Sequence, residues 1–269
     1  MKIGIIGCGN MGSALIAGLS RDKTFDIYVY DIDSLKEKEA VSRWAVKKAE
    51  NPAELAGYCQ VLILAVKPHD IEIALREIKS RFDSSKKILV SIAAGIKVCE
   101  MRKHLKKTLI ARAMPNTPAL VGEGVSGIYF DGPFTQAEIK NIISIFHSVG
   151  IAETVKKEEL LDAITGLSGS GPAYVFAFIN ALADAGVLEG LPRDVSRRLA
   201  VYTVSGSAAM AAESIEAGIH LNELKDRVTS PAGTTAAGLL ALENGSFSST
   251  VINAVRAAVM RSKEIGEDK

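Results

Sequence analysis

Residues 2–12 read Lys2-Ile3-Gly4-Ile5-Ile6-Gly7-Cys8-Gly9-Asn10-Met11-Gly12. A short apolar run ends in a glycine-rich turn, and an amphipathic stretch over 11–19 follows. Alone, GxGxxG is a weak signal; between a strand and a helix it is the fingerprint of a dinucleotide-binding turn. Gly7 permits the tight turn, Gly9 lets the backbone approach a pyrophosphate, and Gly12 allows close packing of helix on strand. The N–H groups of Cys8, Asn10 and Met11 then face an anion at the helix start.

Outward from this turn, residues 3–6, 27–30, 61–66, 88–92 and 109–113 form branched, near-continuous apolar runs of strand length. Such runs fit parallel strands covered on both faces. Residues 11–19, 34–44, 71–82 and 97–106 alternate with them and have helical periodicity. The alternation predicts a doubly wound, Rossmann-type α/β sheet. A further strand is expected over 124–130, then a helix opened by a capping box of Thr135 and Glu138. Beyond about 158 strand signals stop. Alanine-rich helices are expected over 172–188, 192–217, 234–243 and 249–265, with Pro172 and Pro192 as helix-opening prolines. The expected division is a dinucleotide-binding domain over 1–157 and an all-helical domain over 158–269.

The chain of 269 residues is long enough for two domains of ~100–200 residues. Lys plus Arg number 32 and Asp plus Glu 31, a net charge of +1 that excludes a globally basic nucleic-acid binder. At 6% aromatic content, a stacking platform for single strands is not expected. The histidines and the cysteines Cys8, Cys59 and Cys99 show no metal-ligand spacing, so no metal is expected. Cys59 and Cys99 are expected to be buried apolar residues. No signal peptide and no membrane span are expected, which places the chain in the cytoplasm.

Asp31 ends the second run, where an acid can bind the adenosine ribose. A carboxylate there repels a 2′-phosphate and favours NADH over NADPH, although Lys36 and Lys38 follow closely. Capping of the next helix is the alternative role for Asp31. Ala65-Val66-Lys67-Pro68 and Ser91-Ile92-Ala93-Ala94-Gly95 lie at the carboxyl ends of strands, where open sheets bind ligands. The small residues of the second segment leave room for a flat ring. Asn116 and Thr117 could donate hydrogen bonds into the same crevice. Residues 166–172 read as a flexible run before a helix, with Ser170 as its cap. Residues 228–235 read as a helix start whose N–H groups and hydroxyls suit a small carboxylate. No nucleophile–base set or carboxylate pair stands out, so the chemistry belongs to a cofactor.

With these segments in view, the chain resembles the pyrroline-5-carboxylate reductases. The likeness includes Gly7-x-Gly9-x-x-Gly12, Ala65-Val66-Lys67-Pro68, Ser91 to Gly95, Met114-Pro115-Asn116, residues 166–174 and, most specifically, residues 224–243. The resemblance implies reduction of L-1-pyrroline-5-carboxylate to L-proline by NADH or NADPH, the last step of proline synthesis. It implies that Gly7 to Gly12, Asn51, Ala65 to Pro68 and Ala93 to Gly95 hold the cofactor. It places Glu158, Ser230, Gly233, Thr234 and Thr235 around the substrate. Of these, Thr235 is expected, on mechanistic grounds, to hydrogen-bond the ring nitrogen and deliver or retain its proton. It also implies a homodimer that can assemble further, five dimers to a ring. Arg227 stands where an asparagine is expected, and Ala232 where glycine is frequent. A β-hydroxyacid dehydrogenase, the nearest rival, would place a catalytic lysine in a long central helix, and no lysine occurs between Tyr174 and Ala217. A non-enzymatic cofactor sensor is the other alternative, and the intact 230–235 segment counts against it.

Overall fold

The structure is a computed structural model describing residues 1–84 and 86–267. Its strands are β1 (Lys2–Ile6), β2 (Asp26–Tyr30), β3 (Lys47–Lys48), β4 (Val61–Leu64), β5 (Ile88–Ser91), β6 (Leu109–Met114), β7 (Gly124–Asp131) and β8 (Gly150–Val155). They form one sheet in the order β3-β2-β1-β4-β5-β6-β7-β8. The first six have the strand order of a dinucleotide-binding sheet. All neighbours are parallel except β6 and β7.

Alternation of apolar residues on both faces explains the two cores. Ile3, Ile5, Ile63, Val90 and Ala111 face one side, and pack with α1 (Asn10–Leu19), α2 (Ser34–Trp44) and α6 (Gln136–His147). Ile6, Leu62, Leu64, Leu89 and Ile110 face the other, toward α3 (Pro52–Tyr58), α4 (Ile71–Phe82) and α5 (Val98–Arg102). Period-2 strands with two apolar faces can only be buried between helical layers. The Thr135–Glu138 capping box opens α6 as expected.

Some elements lay below the resolution of pattern reading. β3 has two exposed lysines and no apolar run. β8 is mostly exposed, so it lacks a continuous apolar stretch. α3 is only seven residues long, although Asn51, Pro52 and Glu54 spell its start. The helix expected over 97–106 stops at Arg102. The Arg102 guanidinium bonds Asp131 and donates to Leu105 O (3.3 Å) and Thr108 O (2.5 Å), folding the chain back.

The carboxyl-terminal helices are α7 (Leu160–Ile164), α8 (Gly171–Leu188), α9 (Arg193–Glu216), α10 (Leu221–Arg227), α11 (Thr234–Asn244) and α12 (Phe247–Glu267). The flexible run expected over 166–172 is instead largely a π-helical turn, Thr165–Gly169, between α7 and α8. Thr165 and Ser168 hydroxyls donate to the carbonyls of Leu161 (2.7 Å) and Ile164 (3.1 Å), which keeps these small residues helical. No membrane span was expected; by length and composition alone, helix 160–188 is long and apolar enough to cross a membrane.

By contact the chain divides into two compact units, 1–172 with 257 onward, and 173–256. This division falls later than the expected 157/158 boundary. Residues after 158 stay with the sheet because Glu158 pairs with Arg112 of β6, and Ile164 packs on Gly127 of β7.

The second unit buries little of itself. Ala183, Ser196, Ala200 and Ser214 are its buried residues, whereas Phe176, Val201, Tyr202, Met210, Leu240 and Ile252 are exposed. Helices with apolar residues around much of their circumference require a partner surface. At micromolar concentration, light scattering on a sizing column should give a dimer or a multiple of it; a monomer would contradict this reading.

Candidate active site

The site is built first from the β1–α1 turn. Gly7 has φ +103°, and a side chain there would come within 2.5 Å of Ala65 O. A side chain on Gly12 would lie on the Gly7 carbonyl oxygen. Helix and strand are therefore in backbone contact. At Gly9, by contrast, an added Cβ meets nothing within 4 Å. Gly9 is open toward the space a phosphate needs. These three environments match the three glycine roles of a dinucleotide turn.

Beside this turn is a cleft of about 670 Å³ in the first unit. Gly7, Gly9, Asn10, Met11, Asp31, Ala65, Val66, Lys67, Pro68, Ala93 and Ala94 all line it. Thr117 does too, as expected. Cys8 lines a smaller crevice on the far side of the turn, together with Gly9 and Asn10. Gly12 lies beneath the turn, as its packing role requires. Asn51 caps α3, its Oδ1 accepting from Glu54 N (2.9 Å), next to the cleft-lining Pro52. Gly95 follows Ala94 in a left-handed conformation, φ +74°.

Asp31 is not the cap of α2; Asp33 is, accepting from Leu35 N (3.0 Å). The two Asp31 oxygens accept from Cys8 N (2.5 Å) and Asp33 N (2.8 Å). The carboxylate is thus fixed between the glycine turn and the end of β2. Burial, reinforced by Asp31 and Glu37, pushes the Cys8 thiol up to about 12, so it is neutral at pH 7. Burial and the carboxylates of Glu77, Glu37 and Asp31 also raise Tyr30, another lining residue.

Two expectations need correction, those for Asn116 and Cys99. Asn116 does not donate into the crevice: its amide donates to Ser168 O (3.0 Å) and accepts from Val125 N (2.8 Å). Glu158, expected beside the substrate, accepts through Oε1 from Arg112 Nη1 (2.9 Å) and Val98 N (2.8 Å) in the first unit. Cys99 is exposed, whereas Cys59 is buried as expected. The sequence reading also missed Asp70, Ile73, Ala74 and Glu77, which line the cleft from the start of α4. Their helical spacing puts them on one face, and that was the available signal.

In the second unit, Ser230, Gly233, Thr234 and Thr235 come together at the start of α11. Gly233 is the N-cap and no side chain bonds the first turn, so its N–H groups are open to an anion. Gly233 N donates to Ser230 O (3.0 Å), and the Ser230 hydroxyl fills the space a Gly233 side chain would need. Ala232, between them, has φ +56°. A left-handed alanine costs about 1 kcal/mol or more, which explains why glycine suits this position.

Residues 158–265 match the family described as pyrroline-5-carboxylate reductase dimerisation. Residues 2–95 match a family described as NADP oxidoreductase, coenzyme F420-dependent. A pyrroline-5-carboxylate reductase from Synechocystis is 40% identical, over 99% of this chain and 99% of its own. The solved structure of a pyrroline-5-carboxylate reductase from Coxiella burnetii superposes with a TM-score of 0.93 at 33% identity, covering 98% of this chain and 97% of the other. That of a Plasmodium falciparum pyrroline carboxylate reductase with NADP bound gives 0.84 at 36% identity, covering 99% and 98%.

Gly9→Ala should leave the thermal midpoint within a few degrees yet weaken NADH binding about tenfold or more by fluorescence titration. Gly12→Ala should instead cost about 1–3 kcal/mol in denaturant unfolding through backbone overpacking. Ala232→Gly should stabilise the chain by about 0.5–1 kcal/mol, read the same way.

Proposed function

We propose, on the premise that this chain belongs to the pyrroline-5-carboxylate reductase family, that the cleft beside the sheet holds NAD(P)H and the start of α11 holds pyrroline-5-carboxylate. As a member, the chain is an NAD(P)H-dependent oxidoreductase of proline biosynthesis that reduces pyrroline-5-carboxylate. The observation that supports the cofactor assignment is the glycine turn, closed at Gly7 and Gly12 and open at Gly9.

When bound, the cofactor supplies the hydride. The protein's own part is binding, orientation and proton control. Open N–H groups at Thr234 and Thr235, next to Gly233 and with the Ser230 hydroxyl, would hold the substrate carboxylate. The helix dipole adds to that attraction. The Thr235 hydroxyl would hydrogen-bond the ring nitrogen and keep it protonated, since a cyclic iminium is the better electrophile. Gly7 to Gly12 would hold the pyrophosphate, with Asn10 and Met11 lining the cleft and Cys8 N tying the turn to Asp31. Asp31 and Asn51 would bind the adenosine side. Ala65 to Pro68 and Ala93 to Gly95 would flank the nicotinamide.

Asp31 supports a preference for NADH. Its carboxylate is fixed by two backbone N–H groups and cannot swing away from a 2′-phosphate. The nearest cation lining the cleft at that end, Lys36, is itself paired with Asp33 (3.2 Å). The homo-oligomer follows from the dimerisation match. The homodimer is the smallest assembly that would cover the exposed helical faces, and a ring of five dimers is its proposed extension. Helix 160–188 falls wholly within that match, which supports a partner helix rather than lipid as its neighbour. The free thiols of Cys8, Cys59 and Cys99 support a reducing, cytoplasmic setting.

Turnover of pyrroline-5-carboxylate with NADH and NADPH in parallel tests the reading; no oxidation of either would sink it. Asp31→Ser should shift the NADPH-to-NADH ratio of kcat/KM upward about tenfold or more. Thr235→Ala should lower kcat/KM by roughly 10–150-fold, the loss of one hydrogen bond to a charged group.

A further inference from the structure

The turn from β5 to α5 is made of Ile92, Ala93, Ala94, Gly95, Ile96 and Lys97. Ala93 and Ala94 line the cleft. Small residues leave room for a flat ring, but they give the turn few side-chain anchors of its own. Gly95, in its left-handed conformation, has no side chain at all. A turn of this composition keeps one position only if neighbouring elements hold it.

Two elements do so. Where the turn enters α5, Val98 N donates to Glu158 Oε1 (2.8 Å). The same oxygen takes Arg112 Nη1 (2.9 Å), whose side chain is only 8% exposed. This anchor is a shielded ion pair, which holds its geometry better than a surface pair. At Gly95 the last part of α12 arrives. A Cβ built on Gly95 would stand 2.8 Å from Ile265 Cγ2, so that methyl lies directly against the turn's backbone. Gly266 follows on Lys97, where its Cβ would meet Lys97 Cε at 3.3 Å. Ser262 donates to Asp162 Oδ1 (2.7 Å), fixing this part of α12 to α7. Glu158 and Ile265 are also the first and last residues of the dimerisation match. Both ends of that segment close on one turn.

We propose that Glu158 and Ile265 are positioning residues that clamp the 93–97 turn against the nicotinamide half of the cofactor. This rests on the reading that the cleft holds NAD(P)H with its nicotinamide at Ala93 to Gly95. Misplacement of a ring-supporting turn by a fraction of an ångström to an ångström costs up to about a hundredfold in rate.

The test uses the full-length chain with Ile265→Ala and Ile265→Val. Valine keeps the Cγ2 methyl that touches Gly95, and alanine removes it. KM and kcat are measured with NADH, and Kd with ADP-ribose, a probe that lacks the nicotinamide ring. Ile265→Ala should lower kcat/KM for NADH about tenfold while ADP-ribose affinity stays within about twofold, and Ile265→Val should restore most of the loss. Unchanged NADH kinetics, or equal loss of NADH and ADP-ribose affinity, would overturn the clamp. Should Ile265→Ala fail to fold, Glu158→Gln gives the same comparison, because it loses the charge opposite Arg112 while keeping an oxygen for Val98 N. A wild-type chain that oxidises neither cofactor removes the functional reading itself. A wild type that turns over while both variants match it removes only the clamp.

Discussion

Everything at the amino-terminal site depends on one close approach. The start of α1 lies on the end of β1 with no side chain between them, at Gly7 and at Gly12. That contact aims the helix's first N–H groups into the cleft instead of past it. It also brings Cys8 N onto Asp31, so the end of β2 is tied to the same turn. Charge, turn and helix dipole are therefore arranged by backbone packing before any ligand arrives. Preorganised dipoles of this kind do not have to be reoriented when an anion binds.

The two units solve different problems. The first buries its apolar surface on both faces of a sheet. The second has long helices, few buried residues and a helix start at α11 with no side-chain cap. Its exposed apolar faces suit association with another chain, in keeping with its match to a dimerisation family. Folding of that unit and association are then coupled, so its stability depends on protein concentration.

Much of this was legible in the sequence, for physical reasons. Buried parallel strands are short, branched and apolar, and each left its mark, as did the Thr135–Glu138 cap. The turn at Gly7 to Gly12 was readable because only glycine satisfies its geometry. What was missed had no such mark. β3 and β8 are edge elements with little buried face. The π turn at Thr165–Gly169 looks like a loop because helical periodicity breaks there and its residues are small. Asn116 read as a donor into the crevice because buried polar side chains and binding side chains look alike in one dimension. Only its partners Ser168 and Val125 distinguish the two. Cys99 was assigned to the core on residue type alone, and it lies on the outer face of a five-residue helix.

The neutral thiol in the dinucleotide turn has a chemical consequence. Peroxide attacks the thiolate, and a group at about 12 is ionised on the order of 1 part in 100,000 at pH 7. Cys8 is therefore a poor entry point for oxidation, although it lies within the glycine turn. The exposed thiol is Cys99, on α5 and outside the residues that line the cleft. A cysteine can thus stand in a glycine turn of this kind without making the turn an easy target for oxidants.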